Sequence, residues 1–435
     1  MKIFRPTILT VDRCRFSLVN LFVLIGPLGN LLVPSGFPHA FRSFFFVLPF
    51  APFFLSRLER REMKMLLVSS LLLFYILVSS YCIHFTVSHD YASPFFRAML
   101  LLGEYFFTFG VVFFLKKTDI SKTIIYLVRL YLYGVFLSLL VGYFLFFGFY
   151  LNHLSKSILM HFCVNMQFAY GLLRFSPGSY PNEYGTIMSF ALSVLSLLLG
   201  ERKHLANQIG LSKYFAFLLY CLCLIALFLS ITRSAYLSYF ISLCYLCLVS
   251  KRMRHYVFVL GGYCILILFA LKGVFADFLI LILTGFIKIS LYAGSVGERM
   301  QKWKIALQGL SDSPILGKGF GYFFDTHNVY LGLFCELGIL GTLLLIGVLL
   351  THLLPHKDKI KKLLFKRYVC CHYELFANRI IVIGCIHIFW FALSNHNMHH
   401  HLTWFVFLLL NLYLFKDEAN GMIADEKQRE SSAII

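Results

Sequence analysis

The stretch THNVYLGLFCELGILGTLLLIGVLL, Thr326 to Leu350, decides the fold. From Val329 onward it is apolar for about the 20 residues that a helix needs to cross the hydrocarbon of a bilayer. Yet His327 and Asn328 stand at its head, and Glu336 sits inside it. A lipid-facing carboxylate is costly, so Glu336 is expected to face the bundle interior, about 13 Å along the helix axis, and to take hydrogen bonds there. Gly332, Gly338 and Gly341 are expected to permit close helix packing.

The rest of the chain has the same character. Of its 435 residues, 59% are hydrophobic, 18% aromatic and only 14% charged, where soluble domains carry about 25% charged residues. Hydropathy predicts an all-α integral membrane protein of about 12 spans: 16–33, 40–55, 65–84, 97–115, 123–149, 182–199, 213–231, 234–250, 256–275, 327–350, 380–395 and 402–415. The dyad alternation of barrel strands is missing. One polytopic domain, 1–415, is expected, with a polar tail at 416–435.

Loop charge orients these spans. The basic segments 1–15, 57–64, 116–122, 201–204, 251–255 and 356–367 all fall on one side, which the positive-inside rule makes cytoplasmic, together with both termini. The same rule accounts for the net charge of +19, so no nucleic-acid partner is expected. The basic N-terminus followed by an apolar run reads as an uncleaved first span. Most of the 12 cysteines lie in apolar runs, and no structural disulfide is expected. The other face carries 150–181, the tight turn Ser230–Arg233, and the main outside loop 276–326. Within that loop, Gly297–Leu310 has the pattern of a short helix lying at the membrane surface, with membrane lipid as its partner.

Against the charge rule, the outside face holds Arg233, Arg299, Lys302, Lys304, Lys318 and His327. Taken singly, Arg233 reads equally well as a snorkelling arginine, the 299–304 cations as lipid-headgroup contacts, and His327 as an ordinary helix-start residue. Taken together, they suit an anion facing a base. Guanidinium groups bind phosphate through paired, charge-assisted hydrogen bonds. A helix N-terminus favours an anion and disfavours imidazolium, so His327 stays neutral and able to accept a proton.

The run GERMQKWKIALQGLSDSPILGKGFGYFFDTHNVYLGLFCELGILG, Gly297 to Gly341, resembles the signature region of the O-antigen polymerase and O-antigen ligase superfamily of bacterial membrane glycosyltransferases. ITRSAYL (Ile231–Leu237) is similar to that family's Thr/Ser-Arg-Ser turn, and SPGSYPNEYG (Ser176–Gly185) to its Pro-Asn segment ahead of a span. The resemblance implies a GT-C-like fold in the bacterial inner membrane, with the active site on the periplasmic side. It implies metal-independent, inverting transfer of a glycan from an undecaprenyl-pyrophosphate-linked oligosaccharide to a hydroxyl, with no cofactor. Arg233 and Arg299 match the arginines assigned to the pyrophosphate, and His327 matches the histidine that activates the acceptor. A chain-length regulator and a flippase of the same pathway are the protein partners it suggests.

Other polar residues have weaker claims. Asn182 and Glu183 read as a helix cap or as sugar contacts, Asn328 as a local cap, and Lys302, Lys304, Lys318 and Glu336 as further substrate contacts. Glu104 is an intramembrane carboxylate without an expected partner. His396, His399 and His400 have metal-ligand spacing if helical, but they fall in a short turn with no carboxylate nearby, and no metal is expected. Three functions remain: a polymerase joining lipid-linked repeats, a ligase delivering the chain to lipid A–core, and a flippase. The flippase is disfavoured, because no internal repeat is evident and the cations gather at one face.

Overall fold

The computed structural model describes residues 10–32, 48–50, 60–84, 94–116, 118–162, 168–169, 172–200, 210–270, 294–323, 326–365, 372–395 and 399–416. Its helices are α1 (Thr10–Ile25), α2 (Arg60–His84), α3 (Pro94–Leu115), α4 (Ile120–Tyr150), α5 (Lys156–Phe162), α6 (Pro181–Gly200), α7 (Lys213–Ser230), α8 (Arg233–Val249), α9 (Lys251–Ala270), α10 (Gly294–Asp312), α11 (Val329–Leu353), α12 (Lys357–Phe365), α13 (His372–Ser394) and α14 (His401–Leu414). A two-residue antiparallel pair, Phe168–Ala169 with Leu172–Leu173, is the one sheet among the described residues.

Seven of the described helices are long and apolar enough to cross a membrane, and three shorter apolar ones accompany them. The span expected at 40–55 lies almost wholly outside the described residues, as does the end of the one expected at 256–275. The helix expected at Gly297–Leu310 is present as α10 and starts three residues earlier, at Gly294. The basic loop 356–367 is largely a helix, α12, whose Leu363 is buried. From it Lys359 Nζ donates to Leu414 O at 2.9 Å and Lys416 O at 2.8 Å, filling carbonyls left open where α14 ends. α13 begins eight residues before the expected 380, because Asn378 and Arg379 are buried rather than exposed. Arg379 Nη2 donates to Val249 O at 3.4 Å.

The core centres on α6, where every residue from Glu183 to Leu198 is buried. A helix apolar all round has no solvent or lipid face to keep, and α6 is wrapped by α4, α7, α8 and α13. Its serines would be costly there without partners. Ser189 Oγ lies 2.8 Å from both Ala235 O and His387 Nε2, and Ser196 Oγ lies 3.1 Å from Tyr239 Oη. A second cluster joins α2, α3 and α11 through Leu73, Ile76, Leu101, Phe109 and Leu337.

Candidate active site

Two structural units carry the residues singled out by sequence. The first is the turn Ser230–Arg233. α7 stops because Ile231 adopts φ 50°, a left-handed conformation that is rare for a β-branched residue. Arg174 holds it there. Its Nε donates to Ser230 O at 2.8 Å, and its Nη2 lies within bonding distance of Thr232 Oγ1 (3.0 Å), Asn182 Oδ1 (3.1 Å) and Ile231 O (3.3 Å). Thr232 Oγ1 also bonds Pro181 O at 2.9 Å. Gly185 permits this contact, since a Cβ there would fall 2.8 Å from Thr232 Cβ. The head of α6, the Arg174 segment and the turn are therefore one unit, and Asn182 is engaged in it. Glu183 beside it is buried.

Burial lowers the Arg174 guanidinium to about 10, and the neighbouring positive charge of Arg233 adds to the effect. Arg174 stays charged at neutral pH. Sequence reading missed it, although its place seven residues before the Pro181-Asn182 pair was a usable signal. Arg233 is the first residue of α8 and is exposed. Below it Leu237, Phe240, Cys244 and Leu248 are also exposed, at helical spacing, so one apolar stripe descends from the arginine.

The second unit runs from α10 into α11. Trp303 Nε1 on α10 donates to Thr326 O at 2.7 Å, and Thr326 Oγ1 donates to Asn328 O at 2.9 Å. Asn328 caps α11, its Oδ1 accepting from Leu331 N at 3.1 Å. His327 lies between these anchors with φ 50°, a second non-glycine residue in left-handed space. Arg299 and Lys302, one turn apart on α10, are half-buried, and Lys304 is exposed. Lys318 Nζ pairs with Asp312 Oδ2 at 3.0 Å.

The expectation that Gly338 serves helix packing needs correction. Gly338 breaks α11, with φ 61° and ψ −165°, a conformation essentially confined to glycine. The segment Pro314–Gly319 fills the break with its main chain. Lys318 N donates to Cys335 O (3.2 Å) and Gly319 N to Glu336 O (2.9 Å). Ile339 N and Leu340 N donate to Pro314 O (2.9 Å) and Ile315 O (3.0 Å). Gly317 faces Gly338, and a Cβ on Gly338 would lie 2.3 Å from Gly317 N. Gly332 and Gly341 do serve close contact, with Thr326 and with the Tyr75 ring.

The buried Glu336 carboxylate accepts from Phe323 N at 2.9 Å and from the Gly321 amide. Arg97, one turn into α3, lies close enough to Glu336 for their charges to interact.

The histidine-rich turn diverges. His399 Nδ1 lies 2.8 Å from Glu104 Oε2, which supplies the partner that sequence left unassigned. His400 stacks on Phe391, His401 Nε2 lies 3.2 Å from Phe22 O, and His396 is outside the described residues.

No curated protein matches the chain. Residues 217–346 match a family described as O-antigen ligase. Since Arg233, Arg299, His327, Glu336 and the break at Gly338 all fall within those residues, the chain is similar, through the part that carries its candidate site, to the O-antigen polymerase and ligase superfamily.

Proposed function

We propose that the protein is a polymerase of surface polysaccharide, which moves a glycan from an undecaprenyl-pyrophosphate carrier to a sugar hydroxyl of another lipid-linked repeat. The observation that carries this reading is the mounting of His327, pinned at the N-terminus of α11 between the Trp303–Thr326 contact and the Asn328 cap. The second support is Arg233, which tops an apolar stripe. That pairing suits an amphipathic donor, with pyrophosphate at the guanidinium and polyprenyl chain along Leu237, Phe240 and Leu248.

In this mechanism Arg233 and Arg299 hold the pyrophosphate oxygens, and Lys302 adds charge. His327, held just ahead of the Asn328 cap of α11, takes the proton of the acceptor hydroxyl. The hydroxyl oxygen attacks the anomeric carbon as its bond to the phosphate oxygen breaks. The electron pair leaves with the pyrophosphate, where the arginines stabilise it. Attack opposite the leaving group inverts the anomeric configuration. The site faces the periplasm of a bacterial inner membrane, where a flippase would deliver the substrate and a chain-length regulator would limit the product.

The ligase reading stays in play because the matched family is described by that activity. We favour the polymerase because the sequence of the outside loops beyond the shared motif shows no obvious site for a large lipid A–core acceptor. A flippase gains no support from the family match. Lipopolysaccharide from a deletion strain decides between the first two: core bearing a single repeat marks a lost polymerase, and bare core a lost ligase. His327→Ala and Arg233→Ala, expressed at normal level in that strain, are each expected to leave the deletion pattern unchanged. Restoration of the full ladder by either variant would sink the mechanism.

A further inference from the structure

The break at Gly338 divides α11 into an outer half, Val329–Leu337, and an inner half from Ile339. A nine-residue helix is shorter than the ~12–15 residues that are marginal in isolation, so its orientation depends on what it is attached to. At its head the attachments are Trp303 and the Asn328 cap. At its foot the Cys335 and Glu336 carbonyls bond Lys318 N and Gly319 N, which belong to the inserted segment and not to the inner half. The outer half, which presents His327, is thus mounted on the segment Pro314–Gly319.

That segment is fastened to α2. Tyr75 Oη lies 2.7 Å from Leu316 O in the inserted segment and 3.1 Å from Leu337 O at the foot of the outer half. The edge of its ring lies under Gly341 of the inner half, where a Cβ would come within 2.7 Å of Cε1. One side chain therefore touches all three parts that meet at the break. Ser79 and Ile83 continue the same face of α2 at i+4 and i+8. Ser79 Oγ accepts from Phe320 N at 3.4 Å, and Ile83 lies against Gly319.

We propose that Tyr75 is a positioning residue, whose hydroxyl latches the break in α11 and so fixes the half-helix that presents His327. Its geometry fits the task. A hydroxyl whose single proton is shared between two main-chain carbonyls ties the inserted segment to the foot of the outer half, while the ring supplies the contact that keeps the inner half in place. A rocking of the outer half by even ~1 Å would misplace the imidazole relative to the acceptor, a displacement that can cost about 100-fold in rate. The catalytic part of this inference rests on the proposed role of His327; the mechanical part does not.

The test compares Tyr75→Phe with wild type as purified full chain in detergent. Phenylalanine keeps the ring under Gly341 and removes only the hydroxyl. Hydrogen exchange is expected to speed up about fivefold at the amides of Lys318, Gly319, Ile339 and Leu340, the loss of one net hydrogen bond, and to stay unchanged in α6. Ser79→Ala, which removes the longer 3.4 Å bond on the same face, is expected to change those amides less than twofold. Turnover is measured with the lipid-linked glycan extracted from the deletion strain. It should fall about tenfold at near-constant KM, because substrate binding is left in place. Unchanged exchange overturns the latch. Faster exchange with unchanged turnover overturns the positioning role. A wild type that does not turn over the extract overturns the proposed function, and the exchange comparison then judges the latch alone.

Discussion

The arginine unit and the histidine unit are both built around a non-glycine residue in left-handed space, Ile231 in one and His327 in the other. The two units are held together by different means. The arginine unit uses a side chain: Arg174 reaches four acceptors in two other segments of chain. The histidine unit uses main chain, with four amide–carbonyl bonds laid across a broken helix. The difference matters inside a membrane, where water does not repair an open backbone group. A charged side chain can be shortened or exchanged with partial loss. A main-chain insertion depends on two glycines meeting face to face and leaves no room for a Cβ.

The largest predicted effect follows from that contrast. Gly338→Ala places a Cβ 2.3 Å from Gly317 N and 2.6 Å from Ile315 O, in a backbone region that alanine avoids. Strain and overlap together are expected to cost about 3 kcal/mol or more. The outcome is a lower melting temperature in detergent and no polysaccharide. Gly347→Ala in the inner half is the control, since among the described residues its Cβ would meet only Val68 Cγ1, at an ordinary 3.7 Å. It should melt near wild type. Equal behaviour of the two variants would remove the insertion from the account.

Arg174 comes next. Arg174→Ala takes its donor from the carbonyl of Ile231 and leaves that of Ser230 with the longer 3.2 Å bond from Thr232 Oγ1, and is expected to cost about 2–3 kcal/mol. Because Arg233 follows the turn directly, carrier binding should suffer with it, while the Trp303–Thr326 contact stays in place. Arg174→Lys should fall between, since an ammonium on a flexible stem cannot reproduce a planar fork that reaches several acceptors. The ladder length on a gel and the melting temperature, read for both variants, separate lost fold from lost site. Full function in Arg174→Ala would show that the turn holds itself.

The units were unequally legible in the sequence. Long apolar runs announced the helices, and charge at their ends announced Arg233, Arg299 and His327, because burial of apolar area is periodic and visible. Asn328 and the tight turn at 230–233 were legible for the same local reason. Arg174 was not, because it acts on main-chain carbonyls 56 and 57 residues away, and carbonyls carry no sequence signature. The break at Gly338 was hidden by hydropathy, which is continuous through it. Two signals were present: a carboxylate two residues before the glycine, and an apolar Pro-Ile-Leu-Gly segment upstream, able to supply unpaired amides. The pair Glu104–His399 joins residues 295 positions apart, beyond any spacing argument.

The smallest predicted effect lies in the turn before α14, at His400, and it tests whether that turn stands apart from both units. Its ring is buried against Phe391, 4.6 Å between centroids, and among the described residues neither ring nitrogen has a hydrogen-bond partner. Burial holds it down to about 3 from the usual 6.5. The unfolded chain therefore takes up a proton near pH 6.5 that the folded protein refuses until about pH 3. The contribution to stability is complete above pH 6.5 and is lost as pH falls through that window. His400→Phe keeps the stacking and removes the titration. Its melting temperature should fall less between pH 7.5 and pH 5 than that of wild type, by a few degrees. Its polysaccharide ladder at neutral pH should match wild type, because neither unit contacts it in the hydrogen bonds that define them. A shortened ladder would draw the histidine turn into the site, and an unchanged pH slope would mean that the ring is not sealed from water.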